Sequence, residues 1–155
     1  MINLDKIKKI IINLLIPLSV GIISAIFSDI SSNIDTFIKP SFTPPDILFP
    51  IVWTILYVLM GISSYLIMND KSTYKNDAIR IYGINLFING IWSIIFFKYK
   101  LFLLATILII ILIVLTIIMI YRYYQLNKVA GIIQIPYLVW LILAVILSAS
   151  VMLLN

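Results

Sequence analysis

Lys39-Pro40-Ser41-Phe42-Thr43-Pro44-Pro45 leads, after six residues, into Val52-Trp53-Thr54-Ile55-Leu56-Tyr57-Val58-Leu59-Met60-Gly61. Pro40, Pro44 and Pro45 carry no amide hydrogen, and each pushes the residue before it out of the helical region. They exclude a helix over that stretch and favour a stiff, extended one. Within a few residues the chain turns strongly apolar. A rigid loop therefore feeds a membrane helix whose first turns carry Trp53 and Tyr57.

The rest of the chain agrees with a membrane setting. Of 155 residues, 63% are hydrophobic and 11% charged, against about 25% charged in a soluble domain. With so little charge, a surface facing water is hard to build. Five apolar segments, 7–27, 47–68, 79–97, 101–121 and 129–154, are each long enough for a span of about 20 residues. Between Leu101 and Met119 only Thr106 and Thr116 interrupt the fourth. Arg80 and Tyr82, at the start of the third, are placed at the membrane interface. The predicted fold is an all-α membrane protein, a bundle of five transmembrane helices forming one domain over 1–155. The three-residue link between the third and fourth segments makes those helices antiparallel neighbours. No internal repeat is evident.

Lys6, Lys8 and Lys9 precede the first apolar run, as in a signal peptide. The run is too long for a signal-peptide core and no small-x-small site follows, so a retained helix is expected. With the N-terminus inside, the inner loops hold Lys6, Lys8, Lys9, Lys71, Lys75, Arg80, Arg122 and Lys128. The outer loops hold Lys39, Lys98 and Lys100. This asymmetry favours N-in, C-out, in what is expected to be a bacterial cell membrane. The net charge of +5 then suits an anionic inner leaflet; no basic stripe for nucleic acid is present.

There is no Cys and no His. Disulfides, thiol nucleophiles, Ser-His-Asp triads and ordinary zinc or haem-iron ligation are excluded, and no metal site is expected. No charged residue falls mid-span, which speaks against ion-coupled transport. The spans offer aromatic and amide side chains instead. Trp53, Tyr57 and Gly61 share a helix face. They suit either an interfacial aromatic belt with a close helix contact at Gly61, or the wall of a pocket for a flat aromatic ligand. Asn85, Asn89 and Trp92 share a face of the third segment, and amides in hydrocarbon must find a partner helix or a ligand. On the fifth, Trp140, Ala144 and Ser148 share a face, and Ala144 and Ser148 form a small-x-x-x-small pair suited to close packing.

The proline loop and the helix after it resemble the TspO/MBR family pattern Lys-Pro-Ser-Trp-x-Pro-Pro, then Val-Trp-x-x-Leu-Tyr-x-x-Met-Gly, with Phe42 in place of Trp. Asn89-x-x-Trp92-x-x-x-Phe96-Phe97 is similar to the family's third helix. Ile135-Pro136-Tyr137-x-x-Trp140 is similar to its Pro-Tyr-x-x-Trp motif. Three matches in order cover the chain from Lys39 onward; the first helix carries no specific signal.

The resemblance implies a five-helix membrane protein, commonly a homodimer among lipid, that requires no cofactor. It implies binding of porphyrins, notably protoporphyrin IX, and of drug-like aromatic molecules in a cavity open toward the first loop. Carried onto this chain, that cavity is lined by Pro44, Trp53, Tyr57, Asn85, Asn89, Trp92, Trp140, Ala144 and Ser148. Lys39 is an expected partner for porphyrin carboxylates from its position. Trp53 and Trp140 match the positions tied to light-dependent porphyrin degradation in some members. Asn33, Ile34 and Phe42 replace family aromatics, which leaves the loop side of the pocket poorer in indole. The family usually has Asn near Ser148, which weakens one polar contact. No Lys or Arg follows Lys128, so cholesterol binding is not carried over. Three readings compete: a porphyrin-binding sensor with photodegradation, a transporter of porphyrins or other amphipathic molecules, and a membrane scaffold.

Overall fold

The computed structural model describes residues 3–155, and every regular element among them is a helix. The side-chain oxygen of Asn3 accepts from the amides of Asp5 at 3.1 Å and Lys6 at 3.3 Å. It thereby satisfies donors that a first turn leaves open and starts α1 (Leu4–Ser28). Asp29, at φ 47°, ends that helix in the left-handed region, the common way to close a last turn. The short α2 (Ile30–Asn33) and the proline loop follow. Then come α3 (Leu48–Met68), α4 (Lys75–Ser93) with a π turn (Ile94–Lys98), α5 (Phe102–Leu126), α6 (Lys128–Ile133) and α7 (Ile135–Leu154).

Five helical stretches are long and apolar enough to cross a membrane: Leu4–Ser28, Leu48–Met68, Lys75–Lys98, Phe102–Leu126 and Lys128–Leu154. Around the bundle the order is α1, α3, α6 with α7, α5, α4 and back to α1. The antiparallel pairing of α4 with α5 follows from their short link. Isoleucine and leucine side chains cover the outside, while Met60, Ile67, Ile109, Leu112, Met119, Tyr137 and Leu141 are buried between helices.

Four details differ from the expectation. The third span starts at Lys75, not at 79, because the polar turn Lys75-Asn76-Asp77 is helical although it is not apolar. Hydropathy marks where lipid begins, not where hydrogen bonding begins. For the same reason α5 runs past 121 to Leu126. The fifth span is two helices, broken at Gln134. Pro136 has no amide to offer and its ring clashes with the carbonyl four residues back, so α6 ends and α7 begins with the proline in its first turn. Tyr82 does not face outward as a snorkelling aromatic would. It is buried, its ring 6.5 Å from that of Tyr123. Arg80 is exposed, 3.8 Å from Asp77.

Gly61 permits a close backbone approach between α1 and α3. A Cβ there would meet the Asn13 carbonyl oxygen and the Leu14 Cα at 2.8 Å. Ser64, three residues on, donates to Asn13 Oδ1 at 3.0 Å, so the half of this seam away from the first loop is both packed and hydrogen-bonded.

Candidate functional site

A cavity of about 750 Å³ lies under the first loop, between α1, α3, α4 and α7. Its volume is in the range of small-molecule sites. α3 makes its close backbone approach to α6 rather than along α7, which leaves room between α3 and α7 near the loop. Aromatic rings fill that side. Trp53 stacks on Tyr57 with centroids 5.5 Å apart and planes at 29°. Trp92 is 6.4 Å from Trp53, and Trp140 meets Phe49 edge-on at 5.7 Å. Gly21 on α1 exists for this wall, because a Cβ there would run into the Tyr57 ring. The π turn after α4 carries Phe96 and Phe97 into the lining, with Phe96 edge-on to Phe37 of the loop at 5.4 Å. Single π turns of this kind recur at functional sites.

A one-way chain of hydrogen bonds makes the floor. Tyr57 donates to Asn89 Oδ1 at 2.8 Å. Asn89 Nδ2 donates to the Tyr137 hydroxyl at 3.0 Å. Tyr137 donates to Asn85 Oδ1 at 2.9 Å, and Asn85 Nδ2 donates to Thr116 at 2.9 Å. Four helices are tied by groups that hydrocarbon would leave unpaired, and each donor polarises the next. A second polar patch faces the cavity from α1. The hydroxyls of Ser24 and Ser28 each lie 2.6 Å from that of Ser93.

The loop closes the site from above. Lys39 Nζ is 3.0 Å from Asp35 and 3.1 Å from Asp46. Desolvation works against the ammonium, but hydrogen bonds and charge attraction from the two aspartates outweigh it, and its pKa lies above the ordinary lysine value. Asn155 grips the loop backbone at Ile38, accepting from its amide at 2.8 Å and donating to its carbonyl at 3.0 Å.

Of the ten residues selected from sequence, Lys39, Trp53, Tyr57, Asn89, Trp92, Trp140, Ala144 and Ser148 line the cavity; Pro44 and Asn85 do not. Asn85 lies two hydrogen bonds beyond Asn89, spent on Tyr137 and Thr116, and Pro44 stays within the loop. Lys39 reaches the cavity with both aspartates already on it, so a ligand carboxylate would have to take their place.

The sequence model of the TspO/MBR family matches residues 13–154. The chain belongs to the TspO/MBR family. A tryptophan-rich protein TspO of Archaeoglobus fulgidus is 31% identical over 154 residues, 97% of this chain and 99% of that one. One from Chlorobaculum tepidum is 31% identical over 122 residues, 77% of each. The human translocator protein is 29% identical over 106 residues, 66% of this chain and 63% of its own. With five apolar spans, this TspO/MBR protein is an integral membrane protein.

The departures from the TspO/MBR pattern now have places. Phe42 is 54% exposed and outside the cavity, whereas Ile34 lines it. Asn33 turns away to bond the Asp29 carbonyl at 2.9 Å. Ser148 pairs with Thr106 at 2.8 Å, joining α7 to α5. Sequence reasoning missed Tyr137 as the centre of the floor, and missed the whole α1 wall. Gly21, Ser24 and Ala25 were the available signal, small cavity-lining residues at i, i+3 and i+4 in a bulky apolar helix.

Proposed function

We propose that this membrane protein binds a protoporphyrin IX-like tetrapyrrole in the cavity under its first loop, as a sensor or regulator, and degrades the pigment in light. The observation that supports this most is the set of Trp53, Tyr57, Trp92 and Trp140 around one cavity of about 750 Å³. Flat rings offer a porphyrin plate large contact area and offset-stacking geometry. The absence of His and Cys suits a metal-free porphyrin better than haem. In this reading the carboxylates stay at the mouth, where Lys39 exchanges Asp35 or Asp46 for one of them. Photodegradation would begin with transfer of one electron from Trp53 or Trp140 to the excited porphyrin, oxidising the indole and reducing the porphyrin, with dissolved dioxygen as the oxidant that then breaks the ring. One relative, from Cereibacter sphaeroides, carries the name tryptophan-rich sensory protein and is 29% identical over 121 residues. Family membership and ring placement together support the reading.

A sensor is favoured over a transporter by the floor. Below Tyr57 and Asn89 the bundle is filled by Met60, Ile67, Ile109 and Met119, all buried, and these packed side chains separate the cavity from the polar pocket at the other end, lined by Asp70, Ser72, Tyr74, Arg122, Gln125 and Leu126. Titration of purified protein with protoporphyrin IX tests the proposal. Saturable quenching of Trp fluorescence in the dark, weakened by Asn89→Ala, is expected. Loss of porphyrin absorbance under light, with a new product band, is expected to follow. Absence of saturable binding would overturn it.

A further inference from the structure

The face of α3 that meets α1 does not stay covered along its length. Pro50, Thr54, Tyr57 and Gly61 lie at i, i+4, i+7 and i+11, one stripe of the helix. At its inner end Gly61 is pressed against Asn13 and Leu14 of α1, and one turn on Tyr57 is pressed against Gly21. At its outer end the same stripe is bare: Pro50 and Thr54 are exposed, yet both line the cavity. α1 shows the matching change. Ala25, four residues beyond Gly21, and Ile22 and Ile26 beside it are exposed and also line the cavity. The two helices are therefore zipped as far as Gly21 and Tyr57 and part above that point. The parted edges run straight into the lipid-facing surface, where Ile23 and Phe27 of α1 and Ile51 and Ile55 of α3 are half or more exposed. Overhead, the loop is fastened by the Lys39 ion pairs and by Asn155 on Ile38.

We propose that the outer seam between α1 and α3 is a lateral slit through which the cavity exchanges with the bilayer core, and that a phospholipid acyl chain occupies it when no ligand does. The slit is mostly apolar on both edges and is flanked by the exposed Ile23, Phe27, Ile51 and Ile55, a surface suited to lipid chains. A chain that enters it meets Trp53, the next side chain inward on α3. The proposal of a porphyrin ligand is not needed for the acyl chain to enter; ligand uptake by the same route rests on that reading.

The test uses vesicles of phosphatidylcholine brominated along the acyl chains, because bromine quenches indole on contact. A variant with Trp92→Phe and Trp140→Phe leaves Trp53 as the only indole. Its emission is expected to drop strongly in brominated against plain lipid, and to recover when Ala25→Phe or Thr54→Phe fills the seam. Equal emission in the two lipids overturns the slit, as does quenching that neither filled variant relieves. If neither filled variant keeps its helical circular dichroism, the comparison of lipids on Trp53 alone still decides. Uptake of protoporphyrin IX from preloaded vesicles is measured alongside. Uptake slowed by filling the seam supports the route. Uptake unchanged by filling, but faster in Asn155→Ala, assigns entry to the loop and overturns it. Absence of any porphyrin binding sinks the proposed ligand, while the bromine result still judges the slit.

Discussion

Tyr57 hands its hydroxyl hydrogen to Asn89 across 2.8 Å, and so joins α3 to α4 at the depth where the cavity ends. The bond is the first of four that run on through Tyr137 and Asn85 to Thr116. Asn89 is the only member that both faces the cavity and holds two phenols. Asn89→Ala leaves the Tyr57 donor and the Tyr137 acceptor unpaired and is expected to cost about 1–3 kcal/mol. Tyr57→Phe removes one bond and is expected to cost about 0.6 kcal/mol, the usual worth of an interhelical hydrogen bond in a membrane. Unfolding of both variants in the same detergent checks the order; equal losses would show that the chain is not centred on Asn89.

Two glycines separate packing from helix propensity. Gly61→Ala drives a methyl into the backbone of α1 at Asn13 and Leu14, which cannot move aside without opening the seam. A loss of about 1–3 kcal/mol is expected, as for overpacked cores. Gly83 has nothing within 4 Å of an added Cβ. Gly83→Ala is expected to gain up to about 1 kcal/mol from propensity alone. Thermal midpoints of the two variants against the parent should move in opposite directions.

The loop clasp should weaken in alkali. The Lys39 ammonium is held above its ordinary value of 10.5 by Asp35 and Asp46. A raised folded-state value means that its stabilisation is complete below the unfolded value and is lost as pH rises through the folded one. Limited proteolysis within the loop is expected to accelerate in that range in the parent. In Lys39→Met it should be fast throughout and lack the alkaline step. A step that survives Lys39→Met would belong to another group.

If the porphyrin reading holds, Trp53→Phe and Trp140→Phe are expected to slow photodegradation more than they weaken dark binding. Phenylalanine keeps most of the stacking area but gives up an electron far less readily. Parallel titrations and absorbance decays measure the two effects separately, and unchanged decay in both variants would defeat the assignment.

The composition, the five apolar runs and the proline loop were enough, read alone, to determine an all-helical membrane bundle and its family. Each of these signals is local: hydropathy is summed along the chain, and proline acts on its neighbours. Most of the residues of α3, α4 and α7 that line the cavity were legible too, because aromatic and amide side chains stand out against hydrocarbon. Only the tertiary structure decided what those groups do. It spends Asn85 on Tyr137 and Thr116 rather than on the cavity wall, buries Tyr82, and pairs Lys39 with two aspartates nearby in sequence. It also decided that α1, featureless as a string of Ile, Leu and small residues, supplies a wall and one edge of the slit. Spacing along one helix tells which residues share a face, but which neighbour covers that face, and how far along, depends on how five helices pack at once.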